Sequence, residues 1–574
     1  MNSAGDDPVR VPATAPGEGA ERSSGQQRYP WLDCVFLMVI GVLARVPLVR
    51  LGDRLLDSDL AVDGLTVLDL LSGRWWWHFP GTPALGIPHA WPAVAWAWRG
   101  VDTATLLLGG LTSSVLLIMV LHGLLWSLFR HRFGSFSGVL PVAIPNAGVM
   151  WLGARLTGGH LLTVVWFAAA VWVALTVMRR RSVPRQALFG LWCGLGIWLD
   201  PLAVVGLLGL LPAVVFAARG EKGWLFRLRS VLVWACCFGI GMLPRFAGQY
   251  LDPHDAYSGQ DRTILTPREG KRQVDWKLAR DLAAEHSRIL GLECLPRLFL
   301  GRKLPGLDFD PSAGSLSGRK QAGGPRGAVD GLTFLTLVCS TIGLVCAVIG
   351  LLSLGNDRVR RGVALASWLT CWLTIFGFIL HLNIFDSDNY RYLVLLLVPW
   401  AVGLAACAVR IAGIGGAAGK IGARLLLAIL VVPGIDTARW VLDYLPRVLA
   451  ASTARDLEQY RSMLVDALMK GPPEARSATG YHPIRSVYGN YWDVYRISFL
   501  TKGKLIGMPY PVYPRRFLDR ELEAYKDPGR YLFARSDDPF GPYYANQAVR
   551  EGARPAWRGD GVILLDWPAP GPGR

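Results

Sequence analysis

About eleven stretches of roughly 20 apolar residues recur along this chain, and that repetition constrains its fold more than any single motif. A helix needs about 20 mostly apolar residues to cross a bilayer, where its backbone must satisfy its own hydrogen bonds. The stretches fall near 31–50, 104–128, 136–153, 160–178, 186–199, 201–218, 229–244, 331–353, 361–381, 391–410 and 421–438. The fifth is short and is separated from the sixth by Asp200-Pro201. Proline disfavours helical geometry in the residue before it, so these two are expected to form a tight hairpin.

Composition agrees. Hydrophobic residues make up 52% of the 574-residue chain and charged residues only 18%. Soluble domains carry about 25% charged residues. The net charge of +17 would suggest nucleic acid if the cations formed one patch. Instead they recur as short bursts between apolar runs, so membrane lipids are the expected surroundings and nucleic acid is not an expected partner.

Those bursts orient the chain. Arg130 and Arg132, then Arg179, Arg180, Arg181 and Arg185, then Arg219, Lys222, Arg227 and Arg229 lie in alternate connections, and Arg358, Arg360, Arg361, Arg410, Lys420 and Arg424 continue the series. Placed in the cytoplasm, they make the Asp200 break an outer turn. Arg45, Arg50 and Arg54 flank the outer end of the first span and form the exception.

Residues 1–30 then read as a disordered cytoplasmic leader, rich in Gly, Ser, Pro and charge. Residues 31–438 form an all-α polytopic membrane domain. Its outer connections are loops 51–103, 245–330 and 382–390. Residues 439–574 form a small extracytoplasmic α/β domain. Its expected strands are Arg485–Tyr488, Leu505–Met508, Tyr531–Ala534 and Val562–Leu565, with helices near 491–501 and 516–526. Eight of nine cysteines fall in apolar runs and only Cys294 in a polar loop, so no loop disulfide framework is expected. Neither CxxC nor HExxH occurs, which leaves a structural zinc site or a zincin without support.

The first outer loop carries the densest chemistry. Asp57, Asp59 and Asp63 stand just after the first span, where carboxylates are costly unless they meet water, a cation or a substrate. They can act as a base or hold a divalent cation such as Mg or Mn. They can equally be ordinary helix-start residues, with Asp59 placed to cap a helix at 60–72. Trp75 to Trp77 read as an interface anchor, or as a stacking surface for a sugar.

The order of parts resembles the GT-C superfamily of integral-membrane glycosyltransferases, in the bacterial branch related to dolichyl-phosphate-mannose protein mannosyltransferases and the lipid A aminoarabinose transferase. Asp59-Leu60-Ala61 takes the place of that branch's acidic loop start, Leu71-Ser72-Gly73 its helix end, and Gly81 to Gly86 its glycine turn. Gly158-Gly159-His160, Gly194 to Trp198, Gly239 to Pro244, Asn389 to Leu393 and Tyr488 to Tyr495 follow in order. Two positions depart from the pattern: Leu60 replaces the second acid, and His89 stands where an acid is common.

The resemblance implies inverting transfer of a sugar from a polyprenyl-phosphate donor to a lipid, glycan or protein acceptor, at the outer face of a bacterial inner membrane. Asp59 is then the base, with Asp57 or Asp63 assisting orientation or binding metal. Arg391 suits the donor phosphate through its fork of donors, unless it snorkels or pairs with Asp388. A transporter or lipid flippase is the competing class, and expects ionisable groups deep within spans. A catalytically inactive scaffold is the third reading, because of Leu60.

Overall fold

A computed structural model describes residues 28–156, 160–180, 182–218, 224–252, 265, 274–301, 331–355, 357–382, 384–444, 484–510, 516–525, 530–535, 541–559 and 562–566. The apolar stretches all fold as helices. The first spans are α1 (Trp31–Leu51) and α3 (Thr103–Phe129), with α2 (Ser58–Leu71) in the loop between them. α4 (Arg132–Ala143) and α5 (Ala147–Ala154) meet at 74°, one bent pair in place of the straight third span expected. Asn146 causes the bend: it caps α5 through Val149 N and donates to the carbonyls of Leu298 and Phe299.

α6 (His160–Arg179), α7 (Val183–Leu199) and α8 (Leu202–Ala218) follow, then α9 (Trp224–Leu251). α7 and α8 form the hairpin at Asp200-Pro201, whose carboxylate accepts from Leu202 N at 2.8 Å and Thr163 Oγ1 at 2.9 Å. α9 runs past Pro244, the end expected from sequence, to Leu251. Proline is tolerated inside apolar spans because neighbouring groups satisfy the freed carbonyl. α10 (Trp276–Ile289) lies in the long connection after α9, and α11 (Gly331–Leu352), α12 (Arg358–Leu380), α13 (Leu397–Gly413) and α14 (Gly416–Arg439) complete the bundle. Among the described residues, eight helices are long and apolar enough to cross a membrane, or nine with the bent pair.

Small residues let the helices meet closely. A Cβ on Gly194 would lie 2.2 Å from the Phe238 carbonyl, and one on Gly350 would lie 1.9 Å from that of Gly403. Glycine contacts of this kind supply packing where lipid offers no hydrophobic drive. Arg45 is a correction to the sequence reading. It is not at the rim of α1 but within it, 1% exposed, donating to the Gly41 and Val142 carbonyls at 3.0 Å each.

Contacts gather the basic bursts at one end. Arg132 grips Asp33 at 2.5 and 2.6 Å, Arg360 lies over Phe129, and Arg410 donates to the Ser353 carbonyl at 3.0 Å. Arg179 joins them through the Ser127 carbonyl. Asp57, Arg155, Arg297 and Arg391 lie at the opposite helix ends.

The C-terminal region forms a five-stranded sheet: β3 (Ser486–Gly489), β4 (Ile506–Pro509), β5 (Arg530–Arg535), β6 (Arg554–Gly559) and β7 (Val562–Asp566), in the order β4-β3-β5-β7-β6. β3 pairs parallel with β4 and β5, whereas β7 pairs antiparallel with β5 and β6. α15 (Tyr491–Leu500) and α16 (Leu518–Tyr525) match the expected helices, while α17 (Gly541–Arg550) and β6 had no counterpart in the sequence reading.

This sheet region shares a core with the loop between α1 and α3. Leu60, Leu65 and Trp76 pack with Val487, Val494, Phe499 and Phe517 in one buried cluster. Ser58 Oγ donates to the Tyr491 carbonyl at 2.7 Å, and a Cβ on Gly64 would lie 2.2 Å from the Phe499 ring. Gly64→Val should therefore push α15 off α2 at a cost of about 1–3 kcal/mol, typical of overpacking. A lowered melting temperature of the purified protein checks it.

Candidate active site

α2 begins two residues earlier than its expected start, because Asp57 and not Asp59 caps it. The Asp57 carboxylate accepts from Leu60 N at 2.9 Å and also binds Arg155. Both side chains of that pair are almost fully buried. Asp63, six residues further on, is fully buried, with Oδ1 3.0 Å from His89 Nε2. His89 Nδ1 donates to the Gly86 carbonyl at 2.8 Å, which fixes the ring's tautomer on that side. Burial pushes the Asp63 carboxyl above its ordinary range, and His89 works against that rise. His89, the departure from the family pattern, thus meets an acid from α2.

Asp63→Asn keeps a donor toward His89 Nε2 and should hold the melting temperature close to that of the parent. Asp63→Ala leaves the imidazole without its buried partner and should cost about 1–3 kcal/mol. Thermal unfolding of the two variants separates these outcomes.

Asp59 has different company. It remains part-exposed, and its Oδ1 accepts from the Tyr491 hydroxyl at 2.9 Å. That hydroxyl in turn accepts from Arg516 Nε at 3.1 Å and Nη2 at 3.0 Å. The Arg516 guanidinium also stands 4.0 Å from Asp59 Oδ1 and donates to Thr82 Oγ1. Among the described residues Asp59 Oδ2 carries no hydrogen bond. Burial raises the Tyr491 hydroxyl above its ordinary range, so it stays protonated and can donate. Burial would weaken the charge on Arg516, but Tyr491 and Asp59 more than offset this and hold it protonated. Arg516 is itself clamped: its backbone N–H donates to the Tyr495 hydroxyl, which donates to Glu521, each at 2.8 Å.

The loop between α2 and α3 closes one side. A short hairpin pairs β1 (His78–Phe79) with β2 (Thr82–Gly86), and Asp252 at the end of α9 accepts from Trp77 N and His78 N at 2.7 and 2.6 Å. Trp76 is 1% exposed and donates to Asp69, so it belongs to the core and corrects the reading of three interface tryptophans. Trp75 is exposed and packs beside Trp77 and Trp91.

Arg391 stands in a 3₁₀ segment, Ser387–Leu396, fixed by a capping box between Asp386 and Asn389. Its guanidinium lies 5.4 Å over Tyr392, within electrostatic reach of Asp59 and Asp388. Its Nε is buried and has no hydrogen-bond partner among the described residues. Asp388 pairs with Arg297 from the short helix Leu295–Leu300, not with Arg391 as one sequence reading had it. His160 meets the Tyr392 ring edge-on at 5.6 Å, and His381 lies tilted against it at 5.2 Å. Gly158 and Gly159 of the His160 motif lie outside the described residues.

The three loop carboxylates do not converge. One faces Arg155, one Tyr491 and Arg516, and one His89, and no group of three His, Cys, Asp or Glu able to hold a metal ion occurs among the described residues. The donor set does not fit a divalent cation at this loop. Leu60, in place of the second acid, is fully buried in the apolar cluster shared with α15.

No family model and no curated protein matches this sequence. Among solved structures, ArnT from Cupriavidus metallidurans bound to undecaprenyl phosphate superposes with a TM-score of 0.50 at 11% identity, over 93% of this chain and 97% of that one. The chain has a GT-C fold. The apo state of the same ArnT gives 0.49 at 13% identity, over 93% and 97% of the two chains. The apo oligosaccharyltransferase of Archaeoglobus fulgidus gives 0.48 at 13%, over 91% of this chain and 71% of that one. In this GT-C fold the acidic loop, the Arg391 segment and the C-terminal sheet region all lie at one end of the bundle, opposite the basic bursts.

Proposed function

We propose that this chain is a membrane glycosyltransferase that moves a sugar from a polyprenyl-phosphate donor to an extracytoplasmic acceptor, with inversion. The observation that carries the reading is Asp59: a part-exposed carboxylate held by Tyr491 and Arg516, with Arg391 in electrostatic reach. The GT-C fold, seen in ArnT with undecaprenyl phosphate bound, supports the donor class.

In the proposed step the acceptor hydroxyl oxygen attacks the anomeric carbon, and the bond from that carbon to the phosphate oxygen breaks. The hydroxyl proton passes to Asp59, and the polyprenyl phosphate leaves with the bonding pair. A single displacement inverts the anomeric centre. Tyr491 and Arg516 keep Asp59 oriented, because one carboxylate oxygen is fixed while the other stays available. Arg391 offsets the charge gained by the departing phosphate, where a guanidinium fork fits best. Asp57 assists by anchoring the start of α2 to Arg155, and Asp63 by fixing α2 to the His89 turn. No step runs through a metal ion.

Buried Arg45 is the feature that favours a transporter or flippase, since ionisable groups within spans mark pathways. Its guanidinium is instead tied to two backbone carbonyls at one helix contact. We infer that it staples α1 to α4.

Incubating purified protein with a radiolabelled polyprenyl-phosphate sugar and a membrane extract tests the reading. Label should move from the prenyl lipid to an acceptor, and label that stays wholly on the donor with every extract contradicts transfer. The reading also places the N-terminus in the cytoplasm of the bacterial inner membrane and residues 439–574 outside. Tyr543, on α17, is 64% exposed. In a cysteine-free background, Tyr543→Cys should react with a membrane-impermeant thiol reagent on spheroplasts; reaction only after lysis reverses the orientation.

A further inference from the structure

At the basic end of the helices, far along the bundle from Asp59, lies a cavity of about 850 Å³ where α1, α3 and α4 meet. Arg28, Arg130 and Arg132 line it together with Trp31, Trp126 and Phe133. Tyr29 fixes the entering chain over its edge: its hydroxyl lies 2.7 Å from His122 Nδ1, and its ring meets Trp126 edge-on. Arg130 caps α3 in a left-handed conformation, φ 52°, that non-glycine residues seldom adopt.

The cations outnumber their partners. Asp33 is committed to Arg132, and neither Arg28 nor Arg130 has a carboxylate partner among the described residues. Arg130 also lies within electrostatic reach of Arg179, which Asp357 and Arg360 flank in turn. Immediately beyond the cavity, α1 presents Leu32, Val35, Phe36 and Val39 outward, and Phe36 stacks on Phe136 at 6.2 Å. A cationic hollow rimmed by tryptophan, continuing into an exposed apolar helix face, matches a headgroup seat above an acyl-chain track.

We propose that this cavity binds the headgroup of an anionic phospholipid from the leaflet at the basic end, with its chains lying along α1. The site is independent of the glycosyltransferase reading and of the orientation in the membrane. The phosphate accepts from the Arg28 and Arg130 guanidinium groups, while Arg132 remains with Asp33.

Native mass spectrometry of the detergent-purified full chain tests it, with phosphatidylglycerol, phosphatidylethanolamine and inorganic phosphate as probes. Phosphatidylglycerol should remain bound where phosphatidylethanolamine is lost. Arg28→Gln with Arg130→Gln should weaken phosphatidylglycerol retention by about 10- to 30-fold, as expected for removal of two basic contacts. If that double variant fails to fold, Arg28→Glu, at an exposed position, should give the same loss alone. Retention equal to the parent in folded variants overturns the proposal. So does displacement of the lipid by inorganic phosphate at equal concentration, which shows a bare anion site and no lipid seat.

Discussion

Asp59→Asn is expected to lower sugar transfer by at least about 10²-fold, the scale of a lost general base, while donor affinity and melting temperature stay near those of the parent. The amide keeps the shape of the side chain, and its oxygen still accepts from Tyr491. It cannot take the acceptor's proton. Tyr491→Phe provides the graded comparison: it removes the hydroxyl linking Arg516 to Asp59, so turnover should fall with a smaller effect on the Michaelis constant. If Asp59→Asn stays active and Asp57→Asn or Asp63→Asn does not, the base is elsewhere on α2. Asp57→Asn should act chiefly on stability, since it leaves the buried Arg155 charge without its partner.

The second large effect belongs to Arg391. Charge-assisted contacts to phosphate contribute roughly 1.5–3 kcal/mol, so Arg391→Ala should weaken binding of a polyprenyl phosphate by about 10- to 150-fold. Turnover should fall with affinity, because the phosphate gains charge as the glycosidic bond breaks. Arg391→Lys keeps the charge but loses the fork, and should recover only part of the loss. Asp388→Asn gives the contrast. It strips Arg297 of a carboxylate and should lower the melting temperature with little change in donor affinity. Unchanged affinity in Arg391→Ala ends the phosphate assignment.

The spans were legible because a bilayer demands long uninterrupted apolar runs, and the break at Asp200-Pro201 announces itself through proline. The bend between α4 and α5 was not. It depends on Asn146 reaching carbonyls more than 150 residues away in sequence. Asp59 could be singled out from its position after a span, yet its role as a cap went to Asp57, because the helix begins at Ser58. Tyr491 stood within a motif noted in the tail, but nothing local joins it to Asp59 across 432 positions. Arg516 carried no signal at all, as one arginine among many in a polar tail. Arg45 misled because a cation within a few residues of a span's end looks like a rim residue, and only the facing Val142 carbonyl explains its burial.

The most direct test of a glycosyl-transfer site between α2, the Arg391 segment and α15 is to find where the donor lipid lies. A polyprenyl phosphate carrying a photoreactive group next to its phosphate, crosslinked to the purified protein and mapped by peptide mass spectrometry, should label residues 56–90, 384–398 or 484–525. Excess unmodified polyprenyl phosphate should compete the label away, and Arg391→Ala should diminish it. Competable labelling confined to the opposite helix ends, at 126–136 or 350–362, would contradict the assignment of the donor to the Asp59 face.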